Sequence, residues 1–374
     1  MAEVARRVRI GLLTTLGTNI GDDLIREGLI HLLRRLIPAA ALKFTIVNKH
    51  RPHSVYPSWH PARARSLCGC ASFRFTRFDR CDVIVQCGTP VLWHGCRASE
   101  WAGPIWRDVL HRLALQGMPI LNLGAGSCYP WERRPTGLAG DPDEPFVRLM
   151  LQTACVTTAR DRLMSDLCGS VGYEIRPIPC PAFLAGQAYV SPAAPTRKVV
   201  VNFMAGGGHY DWGQNIDAAQ WRETMREVVD RLARKGWQPW FIAHNAAELE
   251  LAAQLWSRYP RFCTTRPSEY FAAVRDAAFG VVNRMHAAVA AAGLGIPSIA
   301  IGTDTRTLMI EALGLPSLYV KDATAERILD IAGQLAANRG DEFGRLLALR
   351  ERTVTDYENC LRPFLPPALA ATVH

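Results

Sequence analysis

A cation and a proton carrier stand two residues apart in Arg284-Met285-His286. The apolar run Phe279 to Val282 before them indicates a β-strand, and the alanine-rich run behind them indicates a helix. Pro297 then opens a second buried strand, Ser298 to Ile301. In open parallel sheets, ligands bind outside the carboxyl ends of the strands, where helix N-termini present unpaired N–H groups. We therefore predict an anion site at this junction, with His286 titrating near neutral pH.

The apolar run and the histidine each allow a second interpretation. The apolar run from Ala287 to Ile301 resembles a membrane span, which needs roughly 20 uninterrupted apolar residues. Here Gly293, Gly295 and Pro297 interrupt it. A lone histidine on an apolar helix face is more often a core residue whose ring nitrogens are hydrogen-bonded within the protein. Arg284, two residues earlier at a strand-to-helix junction, favours a functional histidine.

The whole chain has the composition of a folded protein with a polyanionic partner. Its 374 residues suffice for two domains with a core each, and 49% are hydrophobic against 21% charged. A formal charge of +9 favours phosphorylated small molecules, nucleic acid or an anionic membrane surface. The apolar stretch after the N-terminal arginines is too short for a secretion signal, so we expect a cytoplasmic protein with reduced cysteines.

Alternating strands and helices on either side of one linker predict an α/β fold. The linker, rich in Ala, Pro and Ser, runs from Gln187 to Thr196. We predict two doubly wound Rossmann-like domains facing a central cleft. Residues 1–190 would form the N-terminal, acceptor-side domain. Residues 197–374 would carry the donor site, with the last helix packing back on the N-terminal domain.

A turn after the first strand is a candidate for ligand contact. It spans residues 17–23 and leads into a predicted helix from Leu24 to Leu36, for which Asp22 or Asp23 is a natural N-cap. We include Asn19 and Asp22 among the substrate-binding residues. A capped turn without a ligand accounts for the spacing equally well.

A glycine loop follows the first strand of the second half. Its sequence is Ala205-Gly206-Gly207-Gly208-His209. Glycine loops at this place can cradle a phosphate or a substrate, so we include Gly206 and Gly207 as substrate-binding. The spacing is not that of a Walker or dinucleotide fingerprint.

The segment from His50 to Arg80 is basic, with Trp59, Phe73 and Phe78 among its arginines. This composition suits single-stranded nucleic acid, but no RNA-binding signature accompanies it. We interpret the segment as a solvated, partly mobile loop that holds the protein at the inner face of an anionic membrane, where lipid-linked acceptors reside. The cysteines that begin at Cys68-Gly-Cys70 lack paired CxxC spacing, so we predict no metal site.

Four blocks of the sequence together resemble the polysaccharide pyruvyl transferases, in order over most of the chain. The blocks are Asn19-Ile20-Gly21-Asp22-Asp23, Ala159-Arg160-Asp161 with Ser165 and Leu167, Pro179-Cys180-Pro181-Ala182-Phe183, and Arg284-Met285-His286 with Gly295-Ile296-Pro297. The last block is the most specific. The family usually has Arg, an apolar residue and His ahead of an alanine-rich helix and a Gly-x-Pro strand.

The resemblance implies a fold similar to the two-domain glycosyltransferases of B type. It also implies transfer of a pyruvyl group from phosphoenolpyruvate to two hydroxyls of a glycan or lipid-linked sugar, giving a cyclic ketal. No cofactor besides this donor substrate is expected. Two departures stand out: Cys180 replaces the usual aspartate, and Arg306 replaces a usual lysine. The ketal-forming activity is still expected, with the acceptor open.

Phosphoenolpyruvate carries a phosphate and a carboxylate, so its site needs several cations. Guanidinium forks hold both groups bidentately, and Arg160, Arg284 and Arg306 are the candidates. Addition of a sugar hydroxyl to C2 requires protonation of the methylene carbon, for which His286 is suited. Phosphate then leaves as the second hydroxyl closes the ring.

Two other function classes use the same features. Glycosyl transfer from a nucleotide sugar would need a carboxylate on the ribose one helix after the phosphate site, and Glu311 is the only local candidate. A non-catalytic glycan or membrane-surface binder would use the basic loop. The pairing of Arg284 with His286 argues against pure binding.

Overall fold

The computed structural model describes residues 7–17, 19–37, 41–50, 54–56, 65–66 and 76–365. A first sheet has the spatial order β4-β3-β2-β1-β5-β7-β8-β9, and β6 pairs with β7. Its strands are β1 (Val8–Thr14), β2 (Leu42–Asn48), β3 (Ser54–Tyr56), β4 (Arg65–Ser66), β5 (Val83–Cys87), β6 (Pro90–Leu92), β7 (Ile120–Ser127), β8 (Val156–Ala159) and β9 (Arg176–Pro177). The edge pairs β2–β3 and β3–β4 are antiparallel, and the other pairs are parallel.

A second sheet is parallel throughout and has the order β12-β11-β10-β13-β14-β15. Its strands are β10 (Lys198–Asn202), β11 (Gln238–Ala243), β12 (Arg261–Cys263), β13 (Phe279–Val282), β14 (Ser298–Gly302) and β15 (Ser317–Tyr319). The central strands β10, β13 and β14 are buried along their whole length, as expected of parallel strands covered by helices on both faces.

Helices cover both sheets. The described α-helices are α1 (Ile20–Leu36), α2 (His111–Leu115), α3 (Glu144–Thr153), α4 (Arg162–Gly169), α5 (Ala218–Arg234), α6 (Ala246–Leu255), α7 (Pro267–Val274), α8 (Met285–Gly293), α9 (Leu308–Glu311), α10 (Ala325–Ala337) and α11 (Arg339–Leu361). A π-helical segment, Ala102–Leu110, leads directly into α2. Among the described residues, none of the helices is both long enough and apolar enough to span a bilayer.

The alanine-rich helix α8 packs closely because its side chains are small. A 3₁₀ helix, Pro181–Ala188, lies between α1 and α8. A Cβ added to Gly28 would lie 1.9 Å from the Pro181 carbonyl oxygen, and one added to Gly293 would lie 2.1 Å from the Phe183 carbonyl oxygen. Glycine at both positions therefore permits the backbone of the 3₁₀ helix to contact the backbones of α1 and α8.

One buried hydrophobic cluster contains side chains from both halves of the chain. Helix α11, at the end of the chain, contributes to it and donates a hydrogen bond from Tyr357 Oη to the Pro179 carbonyl oxygen at 2.9 Å. An ion pair between Arg176 and Asp356 also joins α11 to the first half. The domain bounds 1–190 and 197–374 stay a prediction.

Several elements differ from the sequence prediction. Helix α1 begins at Ile20, four residues before the predicted start, because Asn19 is its N-cap instead of Asp22 or Asp23. The side-chain oxygen of Asn19 accepts from Gly21 N at 2.8 Å. Within the basic segment, predicted as loop throughout, β3 and β4 form short edge strands. Most of that segment, including Trp59 and Phe73, lies outside the described residues.

Candidate active site

A cleft of about 580 Å³ lies between the carboxyl edges of the two sheets. Each half contributes residues that follow its strands. In the first half these are Thr15 after β1, Lys49 after β2, Thr89 after β5, Cys128 after β7 and Arg160 after β8. In the second half they are Gly208 after β10, Asn245 after β11, Arg284 after β13 and Thr303 after β14. Both sheets therefore place residues from the carboxyl ends of their strands along the cleft.

Hydrogen bonds across the cleft floor hold the two halves together. Ser127 Oγ lies 2.8 Å from Thr305 Oγ1, and Tyr129 N donates to the same oxygen at 3.0 Å. Trp131 N donates to the Thr303 carbonyl oxygen at 3.1 Å. The spacing between first-half and second-half residues is thus set by direct contacts beneath the site.

Arg160 is the buried cation at the centre of the cleft. Its side chain is 1% exposed, and Nη1 lies 3.3 Å from His286 Nε2 in the other half. Nε and Nη2 are buried and have no hydrogen-bond partner among the described residues. A buried guanidinium with two unmatched N–H edges strongly favours an anionic ligand, because leaving such donors unpaired costs free energy.

His286 lies in the first turn of α8, against the first turn of α1. A Cβ added to Gly21 of α1 would lie only 2.7 Å from His286 Nδ1. Burial lowers the pKa of His286 well below its ordinary value, and the charges of Arg160, Arg306 and Arg284 lower the pKa further. With these neighbours alone the imidazole is neutral near pH 7. The prediction that it titrates near neutral pH is therefore wrong for the cleft as it stands.

Arg284 is the N-cap residue of α8 and forms a buried ion pair with Glu248. Its Nε donates to Glu248 Oε1 at 2.8 Å and its Nη2 at 2.5 Å. Nη1 lies 3.3 Å from His209 Nδ1, on the side that faces the cleft. Half of the guanidinium is therefore committed to Glu248, and one edge is left toward a ligand.

Glu248 is a site residue that the sequence reasoning missed. Besides Arg284, it accepts from Asn202 Nδ2 and from His244 N, both at 3.0 Å. Burial raises the pKa of Glu248, but Arg284 and His244 outweigh burial and the net pKa is lowered. A signal was present: Asn245 and Glu248 have the N-x-x-E spacing of a helix start, and Asn245 caps α6 by accepting from Glu248 N.

The predicted glycines Gly206 and Gly207 are not among the cleft-lining residues. The loop instead presents Gly208 and His209 to the cleft. Gly207 has a φ of +73°, and a Cβ there would lie 2.3 Å from Val320 Cγ2. Gly207 therefore permits a turn packed on the protein itself. Burial, Arg306 and Arg284 lower the pKa of His209 to about 4, so it is neutral at pH 7.

The predicted residues of the first turn, Asn19 and Asp22, both line the cleft. Asn19 Nδ2 donates to Asp22 Oδ2 at 2.8 Å while its Oδ1 caps α1. The Asp22 carboxylate therefore lines the same cleft as Lys49 and Arg160. Whether either residue contacts a substrate stays a prediction.

Lys49 and its neighbours line the first-half wall of the cleft and were missed. Lys49 is 3% exposed, and its Nζ donates to Thr89 Oγ1 at 2.6 Å and lies 4.8 Å from the centre of the Trp101 ring. Burial lowers the pKa of Lys49 to about 8. The signal is its place directly after β2, at the carboxyl edge of the sheet.

Arg306 forms a fork-to-fork ion pair with Asp304. Nε donates to Oδ1 at 2.8 Å and Nη2 to Oδ2 at 2.6 Å, with 18% of the arginine side chain exposed. The guanidinium carbon lies 5.1 Å from the centre of the Tyr210 ring. Arg306 lines the cleft, and its guanidinium is already paired with the Asp304 carboxylate.

We expect Arg306→Ala to weaken donor binding and to leave the acceptor KM nearly unchanged. A charge-assisted hydrogen bond is worth about 1.5–3 kcal/mol, so the donor KM should rise roughly tenfold or more. Arg306→Lys should keep most activity, because it retains the charge. Steady-state kinetics with each substrate varied would measure both constants. A wild-type donor KM in Arg306→Ala would assign Arg306 to a structural pair with Asp304.

Cys180 lies against Arg160 and does not cap the helix that follows it. Its Sγ is 3.9 Å from Arg160 Nη1, and its side chain makes no cap hydrogen bond to the 3₁₀ helix Pro181–Ala188. Burial raises the pKa of the Cys180 thiol, so it stays neutral. The usual family carboxylate at this position would face the same guanidinium.

We expect Cys180→Asp to weaken donor binding several-fold, because a carboxylate there would compensate the charge of Arg160. Cys180→Asn is the matched neutral control and should bind the donor as the parent does. Calorimetric titration with phosphoenolpyruvate, with melting temperatures measured in parallel, would separate binding from stability. A higher turnover number in Cys180→Asp would instead assign the carboxylate a catalytic part.

Comparisons with solved structures identify the fold. The S. aureus MnaA–UDP structure aligns with a TM-score of 0.57 at 12% identity, over 95% of this chain and 97% of that chain. The UDP-GlcNAc 2-epimerase of Neisseria meningitidis bound to UDP-GlcNAc aligns with a TM-score of 0.53 at 11% identity, over 95% and 99%. The likeness is one of fold alone, and it confirms two doubly wound halves around a cleft.

Comparisons of the sequence identify the family. Curated proteins give no match. The family model described as polysaccharide pyruvyl transferase matches residues 19–305, which include Asn19, Arg160, Arg284 and His286. The resemblance drawn from the four sequence blocks is thereby confirmed over most of the chain. The chain belongs to the polysaccharide pyruvyl transferase family.

Proposed function

We propose that this protein transfers a pyruvyl group from phosphoenolpyruvate to a sugar diol of a glycan or glycolipid, forming a pyruvate ketal and releasing phosphate. The observation that carries the proposal is the contact between Arg160 and His286. A buried guanidinium with unmatched donors and a histidine at a helix N-terminus meet at 3.3 Å between the two halves. Such a junction suits a small, highly charged anion whose reacting carbon needs a proton.

The donor is held by cations from both halves. Arg160 supplies Nε and Nη2 from the first half, and Arg284 supplies Nη1, which lies 3.3 Å from His209 Nδ1, from the second. Arg306 adds a third guanidinium, partly compensated by Asp304. The N-termini of α1 and α8 add the positive ends of two helix dipoles. The phosphate and carboxylate of phosphoenolpyruvate together match this distribution of positive charge.

Donor binding also prepares His286 for catalysis. The arginines and burial keep the imidazole neutral, but the negative charges of the donor offset the arginines and raise the pKa of His286. The imidazolium formed in this way delivers its proton to the methylene carbon as a sugar oxygen bonds to C2.

Glycosyl transfer from a nucleotide sugar has less support at this site. Glu311, the carboxylate proposed for the ribose, is not among the cleft-lining residues and instead accepts from Ser317 Oγ at 2.9 Å. A non-catalytic binder does not account for a histidine placed against a buried arginine. The peripheral attraction to an anionic membrane stays a separate proposal, resting on the charge of the basic segment.

The test is to incubate the purified protein with phosphoenolpyruvate and a panel of free and lipid-linked glycans and to follow phosphate. We expect release that depends on both the donor and an acceptor with two hydroxyls that can close a ketal ring. A parallel panel of nucleotide sugars is expected to release no nucleotide. Nucleotide release, without phosphate release from phosphoenolpyruvate, would show that the protein is a glycosyltransferase instead.

A further inference from the structure

A third histidine lines the cleft, on the wall opposite His286. His50 follows β2, and its Nδ1 lies 2.6 Å from Glu100 Oε1. Its Nε2 lies 3.1 Å from Thr15 Oγ1, and Thr15 also lines the cleft. Glu100 directly precedes Trp101, at the start of the π-helical segment. The arrangement places an imidazole between a carboxylate and the cleft.

Glu100 fixes which nitrogen of His50 carries the proton. An ionised carboxylate only accepts, so Nδ1 donates to Glu100 and Nε2 keeps its lone pair toward Thr15. Burial and the charge of Lys49 lower the pKa of His50, while Glu100 and Asp22 oppose them. His50 is therefore a neutral imidazole at pH 7, and its Nε2 lone pair accepts from the Thr15 hydroxyl.

His286 and His50 have different neighbours in the cleft. Arg160, Arg284 and Arg306 surround His286. Glu100 Oε1 lies 2.6 Å from His50 Nδ1. A neutral imidazole held by a carboxylate is suited to take a proton, because the carboxylate orients the ring and stabilises the imidazolium that forms.

We propose that His50, oriented by Glu100, is the base that takes the proton of the attacking sugar hydroxyl, and that the wall around it is the acceptor subsite. Trp93 is half-buried at this wall, with its ring centre 5.7 Å from that of Trp101. An indole face there suits the C–H face of a sugar ring. The inference rests on the proposed function, and it extends that function to the acceptor.

The atoms balance in two additions. His50 Nε2 takes the proton of the first hydroxyl as its oxygen bonds to C2, and C3 takes a proton from His286. The C2–O bond to phosphate then breaks with its electron pair on phosphate. The second hydroxyl oxygen bonds to C2, and its proton ends on the released phosphate. Proton exchange with water restores both histidines.

The first test replaces His50 by glutamine in the full chain. A lost general base should reduce kcat by roughly 10²- to 10⁴-fold. The dissociation constant for phosphoenolpyruvate, measured by calorimetry, should stay within about twofold because His50 faces the acceptor. His111→Gln is the matched control, since His111 Nδ1 also bonds a threonine hydroxyl, at 3.0 Å, and is not among the cleft-lining residues.

The second test replaces Glu100 by glutamine and by aspartate. Loss of the carboxylate lowers the pKa of His50, so the acid limb of the kcat–pH profile should move to lower pH. In Glu100→Asp the acid limb should lie close to its wild-type position, because the carboxylate is retained. A merely structural role for Glu100 would change the rate without moving the limb.

The outcomes separate the inference from the function on which it rests. A wild-type protein that neither binds phosphoenolpyruvate nor releases phosphate overturns the proposed function. An active wild type with His50→Gln above about a tenth of its kcat, against the loss expected for a general base, overturns the inference alone. Ring-¹⁵N NMR needs no acceptor: we expect the Nδ1–H tautomer of His50, and the Nε2–H tautomer would overturn the inference.

Discussion

Replacing His286 by glutamine is expected to reduce turnover by roughly 10²- to 10⁴-fold, the usual contribution of a general acid. Binding of phosphoenolpyruvate should stay within a few-fold, because a proton delivered in the transition state contributes little to the ground state. His286→Ala should be no more active, since neither side chain carries an acidic proton. Single-turnover rates and calorimetric donor titration would measure the two quantities separately.

His94 offers the matched control for this substitution. It is exposed, packs its ring 4.8 Å from Tyr129 and is not among the cleft-lining residues. His94→Gln should retain wild-type turnover and melting temperature. A His286→Gln enzyme that keeps more than about a tenth of its turnover, well above what loss of a general acid allows, would show that His286 is a packing residue between α1 and α8.

Replacing Arg160 by alanine is expected to raise the donor KM steeply. Arg160 has two buried N–H edges for an anion, and each charge-assisted hydrogen bond is worth about 1.5–3 kcal/mol. One lost bond corresponds to roughly 10- to 100-fold in donor affinity, and two lost bonds to more. Arg160→Lys should keep only part of the donor affinity that Arg160→Ala loses, because an ammonium retains the charge without the planar fork.

Arg162, on the same loop-to-helix junction, is the control for Arg160. Its side chain is 88% exposed and pairs with Asp166 on the surface of α4. Arg162→Ala should leave both donor KM and kcat unchanged, since exposed pairs contribute about 0–1 kcal/mol. If the donor KM of Arg160→Ala stays within about twofold of wild type, Arg160 does not bind the donor.

Long-range topology was predictable because the hydrophobic patterns are strong. The strands around His286 and the glycine breaks after α8 are visible in sequence, and the structure confirms them with an α8 of nine residues. The position of the cleft followed from the rule that parallel strands share a carboxyl edge. Arg160 and His286, 126 residues apart, meet at that edge.

The electrostatics of the site were not predictable from the same patterns. The pairing of Arg284 with Glu248 and of Arg306 with Asp304 depends on three-dimensional packing, which alone decides how much positive charge remains for a ligand. The pKa of His286 likewise depends on arginines from both halves. The basic composition from His50 onward indicates a loop, and it obscures the position of His50 two residues after the end of β2.

The central claim is that phosphoenolpyruvate gives its three-carbon unit to a sugar diol through protonation of its methylene carbon. Mass spectrometry of the acceptor after reaction in D₂O tests this most directly. We expect a gain equal to pyruvic acid less one water, with one deuterium in the new methyl group. An acceptor of unchanged mass while phosphate is released, or a methyl group without solvent deuterium, would contradict the account.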